Sequence, residues 1–146
     1  MNGTVEKYFQ AAAAEIPAML AWVEEQGTGV LARTKLLRLL LAAEEICTNI
    51  VLYAYAPEIK EQYLLLSCEV KDQQLLLKIT DGGRPFDPLA VPGKSAETDL
   101  AAAAPGGFGR TFMRSFVDGI SYSRERGQNI LRLTVKCVAA EKLCEK

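Results

Sequence analysis

Glu45 and Asn49 stand four residues apart in a segment that is otherwise largely apolar. In an α-helix this spacing places both side chains on one face, one turn apart. A carboxylate in such a pair can accept a proton from a hydroxyl or a water, and the two oxygen-bearing groups together suit a hard divalent cation. A hydrogen bond of purely structural value would produce the same pattern. The pair alone therefore leaves catalysis, metal binding and structure open.

A second polar feature follows an apolar, strand-like stretch, where Asp81 is succeeded by Gly82 and Gly83. Neither glycine carries a Cβ, so a ligand can approach the backbone closely at this corner. The carboxylate can accept a hydrogen bond from an amino group, such as the exocyclic amine of adenine. Taken alone, however, these residues more often form a tight turn capped by an aspartate.

Residues 106–109 have the sequence Gly-Gly-Phe-Gly and precede a helical pattern that extends to about Phe116. The exposed backbone N–H groups at a helix N-terminus form an anion site, and glycines let phosphate oxygens reach them. A Walker A loop is excluded because no Lys-Ser or Lys-Thr follows. A Rossmann fingerprint is excluded because the strand expected immediately before it is missing.

Hydrophobic periodicity predicts the elements that must position these residues. The first half of the chain is predicted to contain an edge strand at 3–9, a helix at 11–26 and a helix at 34–55. Pro17 implies a kink or a later start of the first helix, and Pro57 ends the second. The second half is predicted to contain strands at 62–70 and 75–80 around a turn at 71–74, a long loop at 88–105, a helix to Phe116, and a hairpin of strands at 119–123 and 129–138. This order predicts one α+β domain spanning residues 1–146, a two-layer sandwich with a mixed, mainly antiparallel sheet and helices on one face.

Composition narrows the possible functions of the 146-residue chain. A net charge of −1 gives no reason to expect nucleic acid or an anionic membrane as a partner. The chain has no histidine, so acid–base chemistry falls to carboxylates, lysine, tyrosine or metal-bound water. Four cysteines without CxxC spacing, and no segment typical of a signal peptide or a membrane span, predict a cytoplasmic protein.

The order of these motifs resembles the GHKL, or Bergerat-fold, ATPases, a superfamily that includes histidine-kinase catalytic domains, gyrase B and MutL. Within it the chain is most similar to the small anti-sigma-factor serine/threonine kinases. The similarity covers nearly the whole chain, and three motifs occur in the expected order. The matching segments are Glu45-Ile46-Cys47-Thr48-Asn49, Asp81-Gly82-Gly83-Arg84-Pro85-Phe86-Asp87, Gly106-Gly107-Phe108-Gly109, Met113-Arg114 and Val117-Asp118.

The resemblance implies a role for each matching position, with ATP and Mg²⁺ as the cofactors. Glu45 would be the general base, and Asn49 would bind both the nucleotide and the magnesium that bridges its phosphates. Asp81 would bind the adenine amino group, and Gly83 would give the base room. Residues 88–105 would form a lid over the nucleotide. The remaining nucleotide contacts would come from Pro105, Gly107, Phe108 and Gly109. In the closing strand, where relatives often carry a threonine beside the adenine, this sequence offers Leu131, with Thr134 further along.

The activity implied is that of a protein-serine/threonine kinase that phosphorylates a small antagonist similar to an anti-anti-sigma factor, and that also sequesters a partner such as a sigma factor. An alternative is a non-catalytic module in which ATP orders the lid and gates a protein interaction; the presence of Glu45 favours catalysis. A histidine-kinase catalytic domain ranks last, because this chain has no histidine to phosphorylate. The resemblance also implies a homodimer, whose expected surface is Leu36, Leu40 and the strand residues Tyr8 and Phe9.

Overall fold

A computed structural model describes residues 3–87 and 115–138 of the chain. Within those ranges, no helix combines the length and the apolar composition that a bilayer span requires. Three features expected from the sequence lie outside the described residues: the lid at 88–105, the pair Met113-Arg114, and the glycine-rich helix start with Pro105, Gly107, Phe108 and Gly109.

In the part of the chain that the structure describes, five strands form one sheet, and two helices pack on one of its faces. The strands are β1 (Thr4–Gln10), β2 (Tyr63–Lys71), β3 (Gln74–Asp81), β4 (Gly119–Glu125) and β5 (Gln128–Lys136), in the spatial order β1-β2-β3-β5-β4. All the strand pairs in this described sheet are antiparallel. The helices are α1 (Ile16–Gly27) and α2 (Arg33–Asn49). The two-layer α+β sandwich is therefore confirmed.

The core lies between the helices and the inner face of the sheet. Strands β2, β3 and β5 turn alternate residues toward the helices, as the period of two of a strand requires. The fully buried strand residues are Leu64, Leu66, Leu75, Leu77, Ile79, Leu133 and Val135, and the largest fully buried helix residues are Met19, Leu39, Val23 and Cys47. Asp81, at the end of β3, and Asn129, near the start of β5, lie opposite each other and are buried on the same face of the sheet as these apolar residues. Two polar side chains therefore lie at one end of an otherwise apolar layer.

Both predicted hairpins are confirmed, and each has a two-residue turn. Asp72 and Gln73 connect β2 to β3 with φ values of 54° and 62°, and Arg126 and Gly127 connect β4 to β5 with 52° and 80°. Positive φ at both central residues is the type I′ geometry, whose twist matches that of the flanking strands. These turns fix the registers of the β2–β3 and β4–β5 pairs. The pairing of Asp81 with Asn129 belongs to the β3–β5 pair, which joins the two hairpins.

Both helices differ in detail from the sequence prediction. A short 3₁₀ turn at Ala13–Glu15 precedes α1, so the later start implied by Pro17 is confirmed, with proline in the first turn where its missing N–H costs nothing. The predicted helix at 34–55 is α-helical only to Asn49 and continues as a π-helical segment, Ile50–Ala54. The change of helix type comes directly after Asn49, and π turns occur frequently at functional sites.

The surface expected to form a homodimer is partly wrong. Leu36 is only 6% exposed and Phe9 only 7%, so both belong to the core of the chain itself. Tyr8, which was part of the expected surface, is 65% exposed on β1, as is Val5 at 46%. On α2 the exposed leucines are Leu37 at 48% and Leu41 at 53%. The helical and strand periods place adjacent residues on different faces, which is why a shift of one residue exchanges core for surface.

Candidate functional site

Glu45 and Asn49 are joined by a hydrogen bond near the end of α2. The Asn49 side-chain nitrogen, Nδ2, donates to Glu45 Oε2 at 3.1 Å, which confirms the shared helical face. Asn49 is buried, and Glu45 is half-buried. Because the amide nitrogen faces the carboxylate, the amide oxygen of Asn49 is directed away from Glu45. That oxygen has the chemistry of a ligand for a hard cation.

A hollow lies between the end of α2 and the inner face of the sheet. Its described lining consists of Ile46, Asn49, Ile50, Ile79, Asp81, Phe86, Tyr122, Asn129 and Leu131. Aliphatic and aromatic side chains predominate, and the polar groups are few and convergent, which is the usual composition of a small-molecule site. Leu131, the residue expected where relatives carry a threonine, is part of this lining. The lining has the chemistry of a site for a flat apolar ring that carries a polar substituent.

Asp81 is the carboxylate of this hollow, and it is only 3% exposed. Its Oδ1 accepts hydrogen bonds from the Gly83 backbone N–H at 2.8 Å and from Asn129 Nδ2 at 3.0 Å. Burial raises the pKa of Asp81, while the Gly83 N–H, the Asn129 amide and the charge of Arg124 oppose that rise. A buried carboxylate with specific hydrogen-bond donors is typical of a binding site, although structural networks also produce it.

Gly83 is required for a close approach between two backbone segments. A Cβ added at this position would lie 2.7 Å from the carbonyl carbon and from the Cβ of Ala54, in the π-helical segment. The Arg84 N–H donates to the carbonyl oxygen of Ala54 at 2.9 Å, and Arg84 Nε donates to that of Tyr53 at 3.1 Å. These bonds satisfy carbonyls at the end of the helix that lack intrahelical partners. The room expected beside a ligand at Gly83 is thus occupied, on at least one side, by protein backbone.

Tyr55 fastens the end of the π-helical segment to the sheet. Its hydroxyl donates to the carbonyl oxygen of Tyr63 at 2.6 Å and accepts hydrogen bonds from the backbone N–H groups of Tyr63 at 3.1 Å and Gly82 at 2.8 Å. Burial raises the pKa of this hydroxyl, so it remains a neutral donor at physiological pH. One hydroxyl therefore links the helix that carries Asn49 to the strand ends that carry Asp81.

Asn129 is the site residue that the sequence reasoning missed. It lies directly opposite Asp81 in the β3–β5 pair and is 5% exposed. The signal was present, because the inward positions of β5 alternate as Asn129, Leu131, Leu133 and Val135, and a polar residue in that series needs a buried partner. Tyr122 and Arg124, on β4, also join this network.

The described residues can supply part of a magnesium site. They contain no cluster of three or more acidic, cysteine or histidine side chains that could hold a metal by themselves. Magnesium commonly binds through one or two protein oxygens together with substrate phosphates and waters, so the single amide oxygen of Asn49 fits that mode.

Two comparisons with known sequences found similar proteins. A family model described as the histidine kinase-like ATPase domain matches residues 9–135 of the chain. The serine/threonine-protein kinase BtrW of Bordetella bronchiseptica is 34% identical over 96 residues, which cover 66% of this chain and 67% of that protein. The match to the family model includes Glu45, Asn49, Asp81 and Asn129.

Solved structures of low sequence identity share the fold. The RsbU and RsbW domains of a Mycobacterium tuberculosis protein superpose with a TM-score of 0.66 at 13% identity, over 92% of this chain and 32% of that chain. The histidine kinase domain of a blue-light-activated histidine kinase from Erythrobacter litoralis gives 0.56 at 12% identity, over 91% and 64%. This chain thus spans about a third of the first structure and under two thirds of the second.

Proposed function

Because this chain belongs to the histidine kinase-like ATPase domain family, we propose that residues 1–146 form one ATP-binding domain that acts as a protein-serine/threonine kinase of the anti-sigma-factor type. Its substrate in this proposal is a small antagonist protein, and a sigma factor is a second partner. The observation that carries the proposal is the hydrogen-bonded pair of Glu45 and Asn49 on the same helix that lines the hollow containing Asp81. The similarity to a protein named as a serine/threonine kinase supports the choice of reaction.

Each described site residue has a separate task in the proposed reaction. Asp81 would accept a hydrogen bond from the amino group of adenine, and the aliphatic side chains of the hollow would contact its ring. Asn49 would hold magnesium through its amide oxygen, and the ion would neutralise phosphate charge when bound. Glu45 takes the proton from a serine or threonine hydroxyl of the substrate while that oxygen bonds to the γ-phosphorus. The bond from the γ-phosphorus to its bridging oxygen breaks, and ADP leaves with the electron pair.

Nucleotide binding is tested by calorimetric titration with Mg-ATP. We expect the native chain to bind, and Asp81→Asn to lose roughly 10- to 100-fold in affinity, because the new amide presents a donor or a weaker acceptor to the adenine amine. Asp72→Asn makes the same chemical change in the exposed β2–β3 turn, where asparagine tolerates the positive φ, and should bind as the native chain does. Absence of binding by the native chain would overturn the proposal. Native affinity in Asp81→Asn would overturn the role of Asp81.

A homodimer formed through β1 is part of the proposal. This strand pairs with β2 along one side only and is the edge of the described sheet, and its Tyr8 is 65% exposed. An unpaired strand edge readily pairs with a second chain. Light scattering should give the native chain twice the mass of one chain, and Tyr8→Glu should shift the mass toward that of a monomer. Tyr53→Glu, at a site of similar exposure outside β1, should remain dimeric. A monomeric native chain would contradict the dimer.

A further inference from the structure

Asn129 uses every hydrogen-bonding position of its side-chain amide. Its Oδ1 accepts from Tyr122 Oη at 2.6 Å, Arg124 Nη1 at 3.0 Å and the Phe86 backbone N–H at 3.3 Å. Its Nδ2 donates to Asp81 Oδ1 at 3.0 Å and to the carbonyl oxygen of Arg84 at 2.8 Å. An amide has two N–H donors and an oxygen with two lone pairs, so this one is fully committed.

The partners also fix which way the amide faces. A flipped amide would bring its NH₂ group against the N–H donors of Arg124 and Phe86 and its oxygen against the carboxylate of Asp81. Asn129 lines the hollow, but its side chain has no donor or acceptor left with which to hydrogen-bond a ligand. Its effect on a ligand must pass through the groups that it holds.

The first of those groups is the Asp81 carboxylate. Within residues 3–87 and 115–138, the hydrogen bonds given to Asp81 come from Gly83 and Asn129, and both reach Oδ1. The other oxygen, Oδ2, accepts no hydrogen bond from the described residues and is the one that a ligand in the hollow could use. An ionised carboxylate oxygen accepts from an amino group and repels a carbonyl oxygen at the same place.

The second group is the chain that follows β3. Asn129 binds the carbonyl of Arg84 and the N–H of Phe86, and Arg124 Nη1 binds the carbonyl of Gly83 at 2.8 Å. These bonds tie residues 83–86 back onto β4 and β5. Phe86 belongs to the lining of the hollow, so the same amide that orients the carboxylate also holds one of its walls.

We propose that Asn129 is a positioning residue that presents Asp81 Oδ2 to the base, and that it thereby sets the preference for a purine with an exocyclic amine over the same purine with a carbonyl at that position. This inference rests on the proposed nucleotide-binding function. The discrimination then depends on a partly buried network of β4 and β5, centred on a residue that makes no hydrogen bond to the base.

The titration of Asp81 supports the same assignment. Burial raises the pKa of Asp81, and the Asn129 amide, the Gly83 N–H and the charge of Arg124 each act to lower it. The elements that pack around Asp81 also carry the titratable hydroxyls of Tyr55 and Tyr122, and the segment after β3 carries the guanidinium of Arg84. Removal of the Asn129 donor must therefore raise the pKa of Asp81 further. The ionised form that accepts an amine would then be lost at a higher pH.

The test compares Mg-ATP with Mg-ITP, whose base carries a carbonyl where adenine carries the amine. Asn129→Leu keeps the approximate shape of the side chain and removes its donors. We expect the ratio of ATP affinity to ITP affinity to fall roughly tenfold or more, and ATP binding to weaken at a higher pH than in the native chain. Arg124→Gln, at an exposed side chain, is a milder second variant and should shift both quantities in the same direction.

Gln128→Leu is the matched control, because it removes an amide from the neighbouring position of β5 whose partner is the Tyr63 hydroxyl. It should leave the nucleotide ratio and the pH profile unchanged. If the native chain binds neither nucleotide, the proposed function itself fails. If the native chain binds ATP but both Asn129→Leu and Arg124→Gln retain the native ratio and profile, the positioning role is wrong. Equal weakening of ATP and ITP would reduce Asn129 to a structural residue and would also overturn it.

Discussion

Replacement of Glu45 by glutamine should lower the rate of phosphoryl transfer by about 10²–10⁴-fold, the range that a positioned general base contributes. Glutamine keeps an oxygen that can accept the Asn49 hydrogen bond, so the local structure should survive, but it cannot take a proton at physiological pH. No histidine is present anywhere in the chain to replace it. ATP affinity should stay at the native level, because the described lining of the hollow does not include Glu45.

The measurement needs the natural acceptor, which can be obtained by retention on the immobilised chain with ATP and magnesium and identified by mapping its phosphorylated residue. Glu44→Gln is the matched control, since Glu44 is exposed and lies about 100° around the helix from Glu45. It should transfer phosphate at the native rate. A native rate in Glu45→Gln would show that another group is the base. A native chain that binds ATP and a partner without transferring phosphate would support the ATP-gated, non-catalytic module instead.

The parts of the fold that sequence predicts well are those that local physics determines. The apolar alternation of β2 and β3 and the turn at 71–74 predict a hairpin because period and turn residues are read over a few positions. The shared face of Glu45 and Asn49 follows from helical geometry alone, and the observed bond confirms it. The later start of α1 follows from the fixed φ of Pro17.

The parts that sequence misses depend on contacts between distant segments. The importance of Asn129 appears only when the β3–β5 register places it opposite Asp81, across 48 residues of sequence. The π-helical segment and the packing of Gly83 against Ala54 are likewise consequences of how the end of the long helix meets the end of β3. The resemblance implies a dimer surface that includes Phe9 and Leu36, but both side chains pack in the core of this chain, and that packing depends on contacts between elements far apart in sequence.

These long-range contacts converge on the short segment after β3. The Tyr55 hydroxyl binds the N–H of Gly82, Asn129 and Arg124 bind the carbonyls of Arg84 and Gly83, and Ala54 accepts from Arg84. The segment is thus held from the helix layer and from the sheet at once. Since α2 carries Glu45 and Asn49 and β3 carries Asp81, this segment fixes the distance between the proposed base and the proposed adenine contact. A change here should affect stability and binding together.

Gly83→Ala is expected to be the most damaging of the small substitutions in this segment. The added Cβ would clash with the carbonyl group and the Cβ of Ala54. Removing this clash requires the backbone at Ala54 to shift, and the Ala54 carbonyl oxygen also accepts the hydrogen bond of the Arg84 N–H. Forced overpacking of this kind costs about 1–3 kcal/mol, so the free energy of unfolding measured in urea should fall by that amount. Mg-ATP affinity should fall as well, because the Gly83 N–H that binds Asp81 Oδ1 must move with the backbone.

Two other glycines provide graded controls for this clash. A Cβ at Gly82 would meet the Tyr63 ring, 2.9 Å from its hydroxyl, and a side chain can yield where backbone cannot, so Gly82→Ala should cost less. A Cβ at Gly3 would meet nothing within 4 Å, so Gly3→Ala should leave both stability and binding unchanged. If Gly83→Ala were as stable as Gly3→Ala, the contact with Ala54 would not constrain the segment. If it were destabilised but bound Mg-ATP with native affinity, the position of this segment would not control the nucleotide site, and the role of Asp81 would have to be independent of the Gly83 N–H.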